Sequence, residues 1–341
     1  MPPLRFALIG AGNIARTHAA ALADLPDAVL TVVSGGRGAE AFAHDHGARF
    51  VEDPLHAIGD DEADAVLLCT PSGAREAHAL AAADAGRHLL VEKPIEVTVQ
   101  RARAMSEAHR RAGTTLGVIF QSRFKPGPRA LEAALRAGRL GDPVLGDLQV
   151  KWHRPPSYFE QAPWRGTRAL DGGGALINQA IHGVDQLMWL MGDVAEVSAR
   201  WARRLHRGIE VEDTLAAHLT YTSGALGTLS VTTATWPGWD RHLEVHGTDG
   251  SVRLADDRVT AWDLRDGSAP PPDAAAAISS GSAASPAIGD ARWHREQIAD
   301  FVAAVRDGRT PAVDGPEGTR SLVLVEACYR SAETGTPVTI S

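Results

Sequence analysis

Up to Gln121 the chain alternates between two hydrophobic patterns. Short, nearly unbroken apolar runs at 5–10 (RFALIG), 29–34 (VLTVVS), 64–70 (DAVLLCT), 88–92 (HLLVE) and 114–121 (TTLGVIFQ) predict strands buried on both faces, with a weaker one at 48–52 (ARFVE). Between them, apolar residues recur at helical spacing over 13–25, over 39–46 with a stop at Gly47, over 74–86 and from about Thr98 to Arg111. Strands alternating with helices in this way predict a parallel sheet covered on both sides.

Beyond Arg123 the pattern changes. A helix over 126–138 is followed by a longer, alternating strand at 144–153. The stretch GGGALINQAIHGVDQLMWLMG, 172–192, reads as an apolar helix in which Asn178, His182 and Asp185 fall at i, i+4 and i+7, on one stripe. Strand patterns then follow at 194–205, 213–236, 241–256 and 259–265, with turns at Thr222-Ser223-Gly224 and Thr248-Asp249-Gly250. Two helical patterns, 293–308 and 317–335, close the chain. The expected fold class is α/β: a doubly wound parallel Rossmann sheet over 1–123, then an α+β domain over 124–341 with an open, largely antiparallel sheet. The Pro/Ala/Ser/Gly-rich stretch 266–290 is expected to be a mobile loop.

Composition narrows the classes. At 341 residues, 44% hydrophobic and 22% charged, the chain can bury a sizeable core. A formal charge of −8 disfavours nucleic acid and anionic membrane as partners. Cys69 and Cys328 make no disulfide framework, no signal-peptide pattern opens the chain, and no apolar run nears the ~20 residues that span a bilayer. A soluble, cytoplasmic protein is expected.

Gly10-Ala11-Gly12-Asn13-Ile14-Ala15 joins a strand to a helix, the context in which G-x-G-x-x-[GA] signals a dinucleotide. Gly10 permits the tight turn, Gly12 lets the backbone approach a pyrophosphate, and the amides near Asn13 and Ile14 face it from the positive helix end. Ala15 allows close helix–strand packing. The end of the second strand carries Ser34-Gly35-Gly36-Arg37, with no carboxylate before Glu40. Ser34 and Arg37 suit a 2′-phosphate, so NADP(H) is favoured and NAD(H) is possible.

Together with this fingerprint, CTPSGAREAH (69–78), AGRHLLVEKP (85–94) and WRGTRALDGGG (164–174) followed by the Asn178–His182–Asp185 helix resemble the Gfo/Idh/MocA family of glucose–fructose oxidoreductase and inositol dehydrogenase. The resemblance runs across nearly the whole chain. It implies that Thr70, Pro71, His78, Glu92 and Lys93 border the cofactor, that Gln121 approaches the nicotinamide ribose, and that Trp164 and Arg165 reach it from the second domain. It implies Lys93 and His182 as the catalytic pair, and a homodimer or homotetramer formed through the second sheet. Hydride transfer at a secondary alcohol needs a group for the hydroxyl proton and one for charge developing on oxygen; imidazole, with an ordinary pKa of about 6.5, and ammonium suit these tasks. Many relatives carry Asp where this chain has Asn178, which can orient a hydroxyl by donating and accepting but takes no proton.

The substrate expected is a sugar, inositol or other polyol, contacted by Lys93, Arg154, Tyr158, Asn178 and His182. For Arg154, Tyr158 and His153, loop anchoring is the competing reading. Asp185 reads as structural, orienting the histidine or capping a neighbour. Glu210, Glu212 and Asp213 either reach a sugar or form a polar strand end, and Trp236 and Trp239 read as packing or interface residues. No metal site is expected, His44 and His46 reading as a solvated helix face. A glycosidase working through transient oxidation and a cofactor-sensing binding protein are the rival functions on this fold.

Overall fold

The computed structural model describes residues 2–275 and 290–340. Much of the expected 266–290 loop lies outside them. The chain divides into two compact units, Met1–Gln121 with Ala287–Thr319, and Ser122–Pro286 with Arg320–Ser341. The first unit thus takes back a C-terminal segment that the sequence pattern alone assigns to the second domain.

The first unit contains β1 (Leu4–Ile9), α1 (Asn13–Ala23), β2 (Ala28–Ser34), α2 (Ala39–Asp45), β3 (Arg49–Phe50), α3 (Pro54–Ile58), β4 (Ala65–Leu68), α4 (Arg75–Asp84), β5 (His88–Val91), α5 (Val99–Ala112) and β6 (Leu116–Val118). Their order in the sheet is β3-β2-β1-β4-β5-β6, all pairs parallel. This is the doubly wound order that reverses beside the first strand, where open α/β sheets bind nucleotides. The apolar runs are buried on both faces because helices cover both: Phe6, Leu8, Leu67 and Leu90 are essentially inaccessible. The returning segment supplies α10 (Arg292–Asp307), which packs on α1. Its Phe301 joins the core with Phe6, while Gln297 accepts from the Phe120 amide and donates to the Val118 carbonyl.

The second unit contains α6 (Pro126–Arg136), β7 (Pro143–Lys151), α7 (Pro156–Glu160), α8 (Ile181–Met191), β8 (Val194–Ala202), β9 (Thr214–Tyr221), β10 (Leu226–Thr232), β11 (His242–Gly247), β12 (Gly250–Ala255), β13 (Arg258–Leu264), the short α9 (Pro272–Ala275) and β14 (Val338–Thr339). The sheet runs β13-β12-β11-β7-β10-β9-β8-β14. It is antiparallel except where β7 lies parallel to β10. Helix α8 packs on β7 and β11. Buried ion pairs pin these helices: Arg123 grips Asp185 of α8 bidentately at 2.8 and 2.6 Å, and Asp257 accepts from Ser122, Lys125, Gln186 and Arg241. Asp185 is therefore structural, bonded to Arg123. No helix among the described residues is long and apolar enough to cross a membrane.

The expected helix over 172–192 is two pieces. Residues Ala175–Gln179 form a π-helical turn, and only from Ile181 does α8 begin. Asn178 and His182 therefore do not share a continuous α-helical stripe. The turn closes through the Ala180 amide on the Ala175 carbonyl, while amides at its start that have no partner within it are met by a side-chain carboxylate, as described below.

Helix α6 approaches the β12–β13 turn so closely that a methyl at Gly127 would run into the Asp257 carbonyl. Gly127→Ala is expected to cost about 1–3 kcal/mol in urea unfolding despite alanine's better helix propensity. Gly208→Ala, where nothing lies within 4 Å, should be neutral, and equal midpoints for the two variants would refute the contact. A second expectation concerns His109, which is buried between Thr114 and the Ala79 carbonyl, burial pulling its imidazole down to about 4. The unfolded chain takes up this proton near pH 6.5 and the folded chain only near 4, so stability falls by up to about 3 kcal/mol as the pH drops through that window. His109→Gln should flatten this part of the stability–pH curve; curves that stay parallel would count against it.

Candidate active site

In the first unit, β1 ends at the glycine turn. Gly10 has φ +102°, and a Cβ there would come within 2.9 Å of the Cys69 carbonyl carbon at the end of β4. Only glycine lets β1 pass so close to its neighbour. The Gly10 amide donates to the Ser34 carbonyl and the Ala11 amide to the Gly35 carbonyl, which ties the turn to the end of β2. Gly12 opens onto empty space, and α1 starts there with no side-chain cap and no acidic residue in its first turn. Gly12 and Asn13 are exposed and Ile14 is half-buried. A helix N-terminus left open in this way fits a pyrophosphate.

Two further observations fit a bound dinucleotide. The Thr70 hydroxyl and the Gln121 side-chain carbonyl are buried without any hydrogen-bond partner among the described residues. A buried orphan polar atom is costly and calls for a ligand. Pro71 follows Thr70 into a 3-10 turn, and His78, on α4, is half-buried with Nδ1 on the Ala74 carbonyl. At the end of β2, Arg37 is exposed and has no partner among the described residues, whereas Ser34 is buried with its hydroxyl donating to the Glu52 carbonyl. Ser34 is thus not presented to a phosphate, which corrects its expected role.

The Glu92 carboxylate is not open to a ligand either. Its Oε1 meets Nε2 of His18 at 2.7 Å and its Oε2 accepts the Lys93 amide at 3.0 Å. His18 and the charges of His294 and Lys93 hold the carboxyl well below its usual range against the opposing effect of burial. Arg75, also buried, donates to the carbonyls of Thr70, Glu92 and Pro94. Lys93 is thereby held at its main chain at the carboxyl end of the sheet, with its residue only half-buried. His18, Glu92 and His294 bring potential ligand atoms within 4.8 Å of one another, a set with the chemistry of a metal site. The contact between His18 Nε2 and Glu92 within this set is a hydrogen bond at 2.7 Å. His44 is exposed beside Asp45, and His46 packs on Phe42.

In the second unit the organising group is Glu212. Its oxygens accept the amides of Gly174 and Leu176, both at 2.9 Å, and the Tyr329 hydroxyl at 3.0 Å. Burial pushes this carboxyl up to about 7 against those donors. A Cβ at Gly174 would collide with the Glu212 carbonyl, so the glycine run lets the chain lie directly on this peg. Asp213 likewise serves structure, gathering the amides of Arg204, Leu205 and His206. Glu210 accepts the Arg168 amide.

The π-turn displays Asn178. Its side-chain amide donates to Asp171, a buried carboxylate that also accepts the Gly166 amide at 2.8 Å, and its carbonyl accepts from Gln179 and, at 3.4 Å, from Tyr158. Asparagine therefore stands beside a carboxylate supplied from seven residues upstream. Gln179 links Tyr158 to Arg154, whose Nε donates to it at 2.9 Å. Arg165 stacks over Tyr158 at 4.1 Å and donates to its carbonyl; Trp164 is half-buried alongside. Arg154 is 4% exposed and Arg165 has a buried, unpartnered Nε, yet neither meets a carboxylate among the described residues. His182, in the first turn of α8, and Trp189 are the two residues of that helix that are not fully buried. Trp236 and Trp239 are 82% and 68% exposed, Trp236 packing edge-on to His153.

The structure thus gathers Thr70, Glu92 and Lys93 in one unit and Arg154, Tyr158, Arg165 and Asn178 in the other. His18, Arg75 and the true role of Glu212 escape sequence reading because each acts on a segment far from it along the chain, and Asp171 escapes it because the segment joining it to Asn178 has no regular pattern. Residues 4–120 match the family model described as "Oxidoreductase family, NAD-binding Rossmann fold", and residues 129–253 match the "GFO/IDH/MocA C-terminal domain". The chain is 32% identical to the WlbA dehydrogenase of Bordetella pertussis, solved with NADH and UDP-GlcNAcA, with all of this chain and 98% of that one covered at a TM-score of 0.89. It is 28% identical to the 1,5-anhydro-D-fructose reductase of Ensifer adhaerens, with 97% of each covered. It is also 28% identical to the inositol 2-dehydrogenase of Rhizobium meliloti, with 96% of each covered. With both of its domains matched in order, the chain belongs to the GFO/IDH/MocA family of oxidoreductases, whose N-terminal half is an NAD-binding Rossmann fold.

Proposed function

We propose that the protein moves a hydride between a nicotinamide cofactor and a CH–OH or carbonyl carbon of a sugar, inositol or sugar derivative. The observation that carries this reading is Lys93, fixed at its main chain by Glu92 and Arg75 while its residue stays half-exposed at the carboxyl end of the sheet. The open start of α1 and the orphan polar atoms of Thr70 and Gln121 suit the dinucleotide. When bound, nicotinamide supplies or accepts the hydride. Lys93 holds the substrate oxygen and balances charge on it, His182 takes or returns its proton, and Asn178, oriented by Asp171, positions a hydroxyl. Arg154 and Arg165, lacking carboxylate partners, favour a ligand with negative charge, and the Bordetella relative was solved with a nucleotide sugar acid.

A panel of polyols, keto sugars, uronates and nucleotide sugars, followed by cofactor absorbance, tests this. Lys93→Met and His182→Asn are each expected to lower kcat on any responsive member by about 100-fold or more, while cofactor affinity by fluorescence titration stays within about threefold. Full activity in both variants, or a silent panel under verified cofactor saturation, would remove the reading.

NADP(H) is the proposed cofactor over NAD(H), a choice supported by Arg37 alone now that Ser34 is occupied. Arg37→Ala should weaken NADPH binding by about tenfold, as expected for loss of one charge-assisted contact, and leave NADH unchanged. Equal effects on the two nucleotides would assign NAD(H) instead.

A further inference from the structure

We propose that His18 is a positioning residue for Lys93, acting through the Glu92 carboxylate. His18 lies five residues into α1, the helix that starts at the glycine turn, and is wholly inaccessible. Its Nε2 holds one oxygen of Glu92 at 2.7 Å, and the other oxygen holds the Lys93 amide at 3.0 Å. On the opposite side of the same peptide units, Arg75 holds the carbonyls of Glu92 and Pro94. The groups facing the Glu92 charge are His18 from α1, His294 from α10, Cys69 at the end of β4, Arg75 from α4 and Lys93 itself.

A buried polar pair of this kind holds a helix to a strand no better than two apolar side chains of equal volume. What apolar side chains cannot do is accept the amide of residue 93. Without the His18 donor, one Glu92 oxygen is left buried and unmet. The carboxylate then turns or takes up a proton, and the Lys93 amide loses its acceptor. His18 thus connects the phosphate-binding helix to the orientation of the lysine. The inference rests on Lys93 as the group at the reacting oxygen, but its test reads Lys93 directly and needs no substrate.

The chain has three lysines, Lys93, Lys125 and Lys151, so two internal references exist. Lys125 pairs with Asp257 and Lys151 donates to Gln149. Trace acetylation of the full-length protein with acetic anhydride, quantified by peptide mass spectrometry, gives the Lys93-to-Lys151 labelling ratio. His18→Leu and Glu92→Met are each expected to raise that ratio about fivefold as the lysine is released to solvent. Glu92→Met removes both carboxylate oxygens, so the Lys93 amide loses its acceptor even if His18→Leu does not fold. His18→Gln keeps an N–H near the position of Nε2 and should stay within about twofold of wild type. A lowered melting temperature in every variant with no change in the ratio would reduce His18 to a structural residue and overturn the proposal. One equivalent of zinc in the purified wild type, absent from His18→Gln, would overturn it in favour of a metal site.

Discussion

An ionised carboxylate taken out of water costs several kcal/mol unless donors replace the solvent it has lost. Glu92, Asp171, Glu212 and Asp257 are each at most 4% exposed, and all but Asp171, whose donors Gly166 and Asn178 lie close by, meet donors from segments distant in the chain. Glu92 joins α1 to the lysine after β5, and Glu212 joins the chain before β9 to the glycine run before α8. Asp257 gathers α6, α8 and β11. These carboxylates place the candidate reactive side chains; the apolar core keeps their surroundings dry enough for the contacts to matter.

The same requirement explains why the Asn178–His182–Asp185 stripe dissolves on folding. Spacing assumes one uninterrupted α-helix, but the turn from Ala175 to Gln179 is π-helical, with Glu212 accepting the amides of Gly174 and Leu176 at its start. Asp185 goes to Arg123, and Asn178 goes to Asp171. Asn178 thus has a carboxylate one hydrogen bond away, in a segment with no regular periodicity to reveal it.

The fold itself was largely legible. Strands buried on both faces carry unbroken apolar runs, so β1, β2, β4, β5 and β6 stand out, while the two-residue β3 and β14 carry little pattern. The glycine turn was legible because its steric demand is local: Gly10 must pass the Cys69 carbonyl. Lys93 and His182 were marked by motif. Their supports were not, since nothing near His18 or Arg75 in sequence indicates a partner 74 or 17 residues away.

Periodicity and short-range sterics therefore determined the order of strands and helices, the parallel and mixed sheets they form, and the glycine turn for the cofactor. Tertiary structure alone decided which buried carboxylate meets which donor, that the helix after Asp290 returns to the first unit, that Ser34 is spent on Glu52, and that the Asn178 turn departs from α geometry. The division is physical. Hydrophobic patterning is written residue by residue along the chain, whereas desolvation of a charged group is offset only by whatever donors the completed fold brings to it.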